Sequence, residues 1–326
     1  MQLNKTFYCT YFDQNFCPFG LSLLESITKH DSTSFIFVLC LDDDIFLILK
    51  NLHLNNVQLL QVLDLEKAFP ELLQAKVNRS TTEYYWTLTP YLLFYLIFRN
   101  KSCSTLTYLD ADQFFYSDPK IIFDEIGEAD VAIMPHRFPD FINTAKEHGE
   151  FNVSWVTFRN TPNAKKCLIW WKESCLEWCY AAGVEGKYGD QMYLDHFPVN
   201  FKNVHIIENL GCGVAPWNLF SFDLGNRLIL FHFESFRIRS SIFLTAIIPQ
   251  FEKCDLNNFK QIVLLPYFKS LSKNLSLRQN KNINLSDKSL VLTNSTILFI
   301  FFADYIFFVR NKFLKRVLNN FILYRL

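Results

Sequence analysis

The sequence predicts an α/β domain built on a mostly parallel sheet, and three observations lead there. The chain begins strand, helix, strand, the opening of an α/β unit. Ser34 to Leu41 (SFIFVLCL) is a continuous apolar run, as expected of a parallel strand covered on both faces. A later apolar strand, Ser104 to Leu109, stops at Asp110-Ala111-Asp112, and carboxylates at the C-terminal end of a parallel strand stand where open α/β sheets bind ligands.

Taken in order, Thr6 to Tyr11 reads as the first strand and Phe19 to His30 (FGLSLLESITKH) as a helix with apolar residues at helical spacing. Leu47 to Leu54 follows as a helix, Val57 to Val62 as a strand, and Thr89 to Arg99 as part of a helix after Pro90. Beyond Asp112, Val131 to Met134 and Phe151 to Phe158 read as strands and Asn163 to Tyr180 as a tryptophan-rich helix. Val204 to Ile207 is a short strand, and Leu228 to Phe233 (LILFHF) is the last convincing one. Lys269 to Lys288 is polar and asparagine-rich and reads as a linker or loose surface segment.

Leu290 to Val309 is strongly apolar and is followed by RNKFLKR. Its length approaches a bilayer span, but Asp304 lies inside it and Asn294, Ser295 and Thr296 interrupt its first half. A mid-span aspartate is costly. The basic residues that follow suit a helix lying on an anionic cytoplasmic surface, and that reading is preferred to packing on the main domain or to a true span.

The 326 residues are 50% hydrophobic and 20% charged, enough for one large core or a main domain with an appendage. Lysine plus arginine equals aspartate plus glutamate at 32 each, so no global field recruits nucleic acid and electrostatic specificity must be local. The N-terminus lacks a basic start and apolar core, and the nine cysteines are an odd number, which together predict free thiols in a reducing, cytoplasmic compartment. Cys175 and Cys179, spaced for one helix face with Trp171 and Trp178, read as small apolar residues of a helix interface.

Four groups of residues carry chemistry. Asp110 and Asp112, one residue apart at a strand end, can turn toward one hard cation such as Mg2+ or Mn2+, against the alternative of a solvated turn. Asp190 and Gln191 in KYGDQMYLD place a carboxylate and an amide together at a turn to address a bound sugar, and a helix N-cap at Asp190 is an equal alternative. His232, at the end of a late apolar strand, offers a nitrogen ligand to the same cation, although an isolated histidine there is more often a core residue. In GCGVAPWN, Gly211 and Gly213 allow close backbone approach and Trp217 offers a flat apolar wall, with a structural loop as the alternative.

The order YCTYFDQNF, YLDADQFFYSDP, EFNVSW, GDQMYLD and a terminal-strand histidine resembles the retaining glycosyltransferases of family eight and their bacterial polysaccharide-cluster relatives, over about residues 5 to 235. The resemblance implies the GT-A fold of nucleotide-diphospho-sugar transferases, a mixed, mostly parallel sheet flanked by helices, over residues 1–265. A polar segment (266–289) and an apolar and basic helical appendage (290–326) would follow. It implies nucleotide binding by Thr10, Asp13 and Phe16, with Phe16 stacked on the base. It implies Mn2+ or Mg2+ on Asp110, Asp112 and His232, and Asn152 beside the donor or acceptor sugar. Asp190 would hold donor hydroxyls and Gln191 would lie near the anomeric carbon. The family's histidine-glycine-lysine-proline-tryptophan stretch is not present in that form, and Arg79 is the substitute proposed for its diphosphate-binding lysine.

The expected reaction transfers a hexose from a nucleotide-sugar donor, UDP-sugars being favoured by family frequency, to a glycan or lipid-linked glycan on the cytoplasmic face of a membrane. Three rivals remain. A haloacid-dehalogenase-type phosphatase also pairs DxD with an acid pair such as Asp190 and Asp195, but carries its DxD near the N-terminus. A nucleotidyltransferase needs a glycine-rich, basic start, and residues 1–30 hold only Gly20. A non-catalytic sugar-binding or membrane-associated protein requires the DxD and DQ pairs to be incidental together.

Overall fold

The apolar runs become neighbouring strands of one sheet. In the computed structural model, the described residues are 5–100, 102–139, 145–184, 186–224, 227–240, 243–247, 255, 258–279 and 321–325. Strand β1 (Thr6–Phe12) leads through helix α1 (Cys17–His30) to β2 (Ser34–Cys40), and α2 (Asp43–Leu52) leads to β3 (Val57–Gln61). Three helices follow, α3 (Val62–Ala68), α4 (Glu71–Asn78) and α5 (Thr81–Arg99), before β4 (Thr105–Leu109) and β5 (Gln113–Phe115). Then come α6 (Lys120–Ile126), β6 (Val131–Pro135), α7 (Ala145–His148), β7 (Phe151–Arg159), α8 (Pro162–Glu177), α9 (Phe197–Asn200) and β8 (Val204–Ile206).

The seven-stranded sheet runs β3-β2-β1-β4-β7-β6-β8. β7 pairs antiparallel with both β4 and β6, and the remaining pairings are parallel. This is the mixed, mostly parallel sheet flanked by helices that the sequence predicts. Side chains alternate between two cores, as the two-residue period of a strand requires. Cys9 and Phe37 pack with α5 and α8 on one face. Tyr8 and Ile36 pack with α1, α2 and α6 on the other. The chain leaves β1 toward β2 and β3, then returns to β1's other side as β4. The carboxyl ends of β1 and β4 therefore flank the crevice where open sheets bind ligands.

Several elements differ from the sequence reading. Helix α5 begins at Thr81, not after Pro90. Ser80 and Glu83 form a capping box there, and buried side chains along α5 offset the roughly 3 kcal/mol penalty of an internal proline. Helices α3 and α4 are short and lie between stronger sequence signals, so the local pattern does not announce them. Strand β9 is only Leu230–His232 and joins β5 in a separate antiparallel ribbon, not the main sheet.

Of the residues read as a linker or loose surface segment, 280–289 lie outside the described residues, while 266–279 belong to a helix, Leu265–Gln279, preceded by a π-helical turn, Phe259–Leu264. Its polar residues face α1: Ser270 and Lys273 bind Glu25 at 2.7 and 2.8 Å, and Asn274 binds Ser22 at 3.0 Å. Specific partners thus replace the hydration that such a composition usually signals.

Strands β10 (Arg237–Ser240), β11 (Phe243–Ile247) and β12 (Phe321–Arg325) form a three-stranded antiparallel sheet. The end of the expected helical appendage is thus a strand. Residues 290–309 lie outside the described residues, and among those described no helix is long and apolar enough to cross a membrane. Eight described cysteines, Cys175 and Cys179 included, are buried and free.

Candidate active site

Asp110 leaves β4 with its backbone N–H on the Ser154 carbonyl of β7 (3.4 Å), and the Tyr108 hydroxyl donates to its Oδ1 at 2.9 Å. Asp112 is fixed by the ribbon: the Phe233 N–H donates to its carbonyl at 2.7 Å, which sets β9 beside it. The same ribbon presents His232, whose Nε2 lies 3.1 Å from Asp112 Oδ1 and 3.8 Å from Asp110 Oδ2. One ligand atom from each of the three residues lies within 4.8 Å of the others.

Burial pushes the Asp110 carboxyl up to about 6; the His232 charge opposes this and the Asp112 charge adds to it. Burial pulls His232 down, but the Asp112 and Asp110 charges outweigh it and hold the ring at about 9. Two carboxylates thus gather positive charge at one point. Two oxygens and an imidazole nitrogen suit a divalent ion such as Mn2+, and a cation there would take the place of the imidazolium proton.

The second group, Asp190 and Gln191, lines a cleft of about 340 Å³, together with Trp86, Asn152, Trp217 and Glu234. Gly189 turns the chain at φ +52°, where an L side chain is strained and a Cβ would stand 3.2 Å from Trp86. Asp190 is 5% exposed, its carbonyl accepts from Trp171 Nε1 at 2.8 Å, and Thr89 lies beside its carboxylate. It caps no helix, since the short 3₁₀ helix Met192–His196 begins after Gln191 without a side-chain cap. Burial raises the Asp190 carboxyl to about 7. Gln191 donates Nε2 to the His148 carbonyl at 2.9 Å, so its amide oxygen is the group left for a cleft ligand.

Asn152 is oriented by the same logic. Its Oδ1 accepts the Ser154 N–H at 2.7 Å, so Nδ2 faces His136 Nε2 at 3.0 Å and donates to it. His136 must then be neutral, and burial holds it down at about 3. Trp217 joins the two groups: its Nε1 donates to the His136 carbonyl at 2.7 Å and its ring meets the His232 ring edge to face at 5.7 Å. The glycines of that loop serve the protein's own packing. A Cβ on Gly211 would strike the Arg227 carbonyl, and one on Gly213 would meet Met134 Sδ at 2.5 Å.

The remaining expected residues divide. Thr10 is buried on β1, and its hydroxyl has no hydrogen-bond partner. Asp13 accepts the N–H groups of Asn15 and Phe16 at 2.9 and 3.0 Å, closing the turn after β1. Phe16 is 38% exposed, a flat surface beside that turn. Arg79 is placed elsewhere. It donates to the Thr87 hydroxyl and to the Leu176 carbonyl (2.6 Å) and lies over the Tyr180 ring, so it ties α5 to the end of α8.

No family model matches the chain. Two proteins of Bacillus subtilis (strain 168) align with it. The uncharacterized protein YfnF is 33% identical over 251 residues, covering 72% of this chain and 82% of YfnF. The uncharacterized protein YfnD is 32% identical over 231 residues, covering 67% and 74%. The chain belongs to the YfnF and YfnD family. Among solved structures, this YfnF-family chain is similar to the galactosyltransferase LgtC in complex with donor and acceptor sugar analogues. The two are 14% identical, with 70% of this chain and 87% of LgtC covered at a TM-score of 0.49.

Sequence reasoning missed the residues that join the two halves of the YfnF-family site. The Tyr11 and Thr89 hydroxyls share a hydrogen bond of 3.1 Å, and the Tyr11 and Tyr108 rings lie 5.5 Å apart. Tyr108 also donates to Asp110 at 2.9 Å, so residues of β1, β4 and α5 fill the space between the Asp110 and Asp190 regions. The only local signal was a tyrosine two residues before the first aspartate. His136 and Gln113 were also missed, the first because its partner Asn152 lies on the next strand.

Proposed function

We propose that this chain is a metal-dependent glycosyltransferase that moves a hexose from a nucleotide-diphosphate sugar to a hydroxyl of a glycan or lipid-linked glycan. The observation that carries the reading is the gathering of Asp110, Asp112 and His232 at the sheet's switch point, beside a cleft that holds Asp190, Gln191 and Asn152.

A divalent cation on the three ligands would neutralise the diphosphate leaving group, the electrostatic contribution that often dominates such reactions. Asp110, Asp112 and His232 fix the point where that charge collects. Thr10, the Asp13 turn and Phe16, at the carboxyl end of β1, flank the same crevice and suit the nucleotide. Asp190 accepts sugar hydroxyls, Asn152 donates an N–H, Trp217 offers a flat wall, and Gln191 turns its amide oxygen toward the sugar carbon that reacts. The family resemblance favours UDP-sugars and retention of configuration, with the leaving phosphate accepting the acceptor's proton.

Arg79 is bound to its own neighbours and is a weaker candidate for the diphosphate. The phosphatase reading requires Asp195 to join the DxD pair, yet Asp195 accepts the Glu150 N–H at 2.9 Å and is outside the three-residue cluster.

The test is a hydrolysis and thermal-shift screen of UDP-, GDP- and CMP-sugars with and without Mn2+. Cleavage and stabilisation by one nucleotide class, only with the metal, are expected; indifference to every donor would remove the reading.

A further inference from the structure

We propose that Gln113 is a positioning residue that holds His232 as a metal ligand, a role that rests on the metal-dependent reading above. The two residues oppose each other across the β5–β9 ribbon. Next to this pair, the Phe233 N–H donates to the Asp112 carbonyl at 2.7 Å. Ladder bonds alternate along antiparallel strands, so Gln113 and His232 form a pair of the non-hydrogen-bonded kind, whose side chains stand closest together on one face.

Both side chains are inside the protein, Gln113 at 0% and His232 at 4% exposure. Gln113 Oε1, Gln113 Nε2 and His232 Nδ1 are all buried without a hydrogen-bond partner. Buried polar groups are nearly always paired, so an amide with both ends open beside a half-paired imidazole calls for a functional explanation.

The chemistry of a ligating histidine supplies one. A ring that gives Nε2 to a cation carries its proton on Nδ1, and that N–H is held by a carbonyl, a carboxylate or a water, which fixes the ring's tautomer and direction. Gln113 puts an amide oxygen on the same face of the ribbon, to act directly or through one water. The arrangement is economical in sequence. Gln113 follows Asp112 immediately, so one short turn carries two carboxylate ligands and the group that orients the third.

The experiment is a Mn2+ titration of the full chain followed by electron paramagnetic resonance of the free ion. It compares the wild type with Gln113→Leu, His232→Ala and the double variant. Gln113→Leu keeps the side chain's bulk without its hydrogen bonds and should bind Mn2+ roughly 10–100-fold more weakly. In the His232→Ala background the same change should cost less than about twofold, because no ring remains to be held. The metal-free melting point of Gln113→Leu should equal or exceed the wild type's, since an unpaired buried amide is gone.

Wild-type affinity in a folded Gln113→Leu, or equal losses in both backgrounds, would overturn the role of Gln113 and leave the metal site standing. A wild-type chain that does not bind Mn2+ would overturn the metal-dependent reading and this inference with it. Gln113→Met, which carries the same expectation, serves where the leucine variant does not fold.

Discussion

Asp190 sits beside Thr89 with little access to water, and burial lifts its carboxyl from the usual 3.8 to about 7. The folded protein therefore holds a proton there that the unfolded chain has released between about pH 4 and pH 7. Stability is favoured below that window and lost as pH rises through it. Asp190→Asn should melt higher than the wild type at pH 8, by roughly 2–4 °C for each kcal/mol of burial penalty removed, and the gap should close near pH 4. Differential scanning of the metal-free proteins checks this, and an asparagine variant less stable at pH 8 would contradict it. A higher melting point for the variant would mean that the fold itself does not need this carboxylate. At this scale, Asp110, Asp112, Asp190 and Gln191 were legible because each pair is local in sequence. Tyr11, Thr89, Tyr108 and His136 were not, because each acquires its role only when β1, α5, β4, β6 and β7 meet.

Among the elements, continuous apolar runs located β1, β2 and β4 well, since a strand buried on both faces has no polar register to disguise it. In helix α5, Pro90 has the sequence signature of a first-turn residue although it lies in the helix interior. The Ser80 capping box and the buried face of α5 hold the earlier turns. Ser80→Ala should lower stability by about 1 kcal/mol, read as a shift of the urea midpoint at constant slope. An unchanged midpoint would mean that packing alone starts the helix. The helix Leu265–Gln279 escaped the reading for the opposite reason: its interior polar residues find Glu25 and Ser22 on α1, partners more than two hundred residues away that composition does not reveal. Gly20, a sparse signal in the sequence, serves this same side of the sheet, where a Cβ would lie 2.5 Å from the Phe12 ring.

For the whole molecule, sheet order brings the ends of β1 and β4 together and the β5–β9 ribbon adds His232, so the candidate site is assembled from segments over two hundred residues apart. The apolar and basic stretch after residue 289 leads to a prediction at this scale. Removing residues 290–326 should release the protein from anionic vesicles in a flotation assay without abolishing turnover; unchanged partition would place membrane contact elsewhere. The most direct test of the central claim is Mn2+-dependent hydrolysis of a UDP-sugar by the wild type and by Asp112→Ala. Turnover that EDTA removes and Mn2+ restores is expected of the wild type, and none of the variant, which should still unfold in one cooperative metal-free transition although its buried His232 loses a partner. Equal hydrolysis by the two proteins would contradict the central claim.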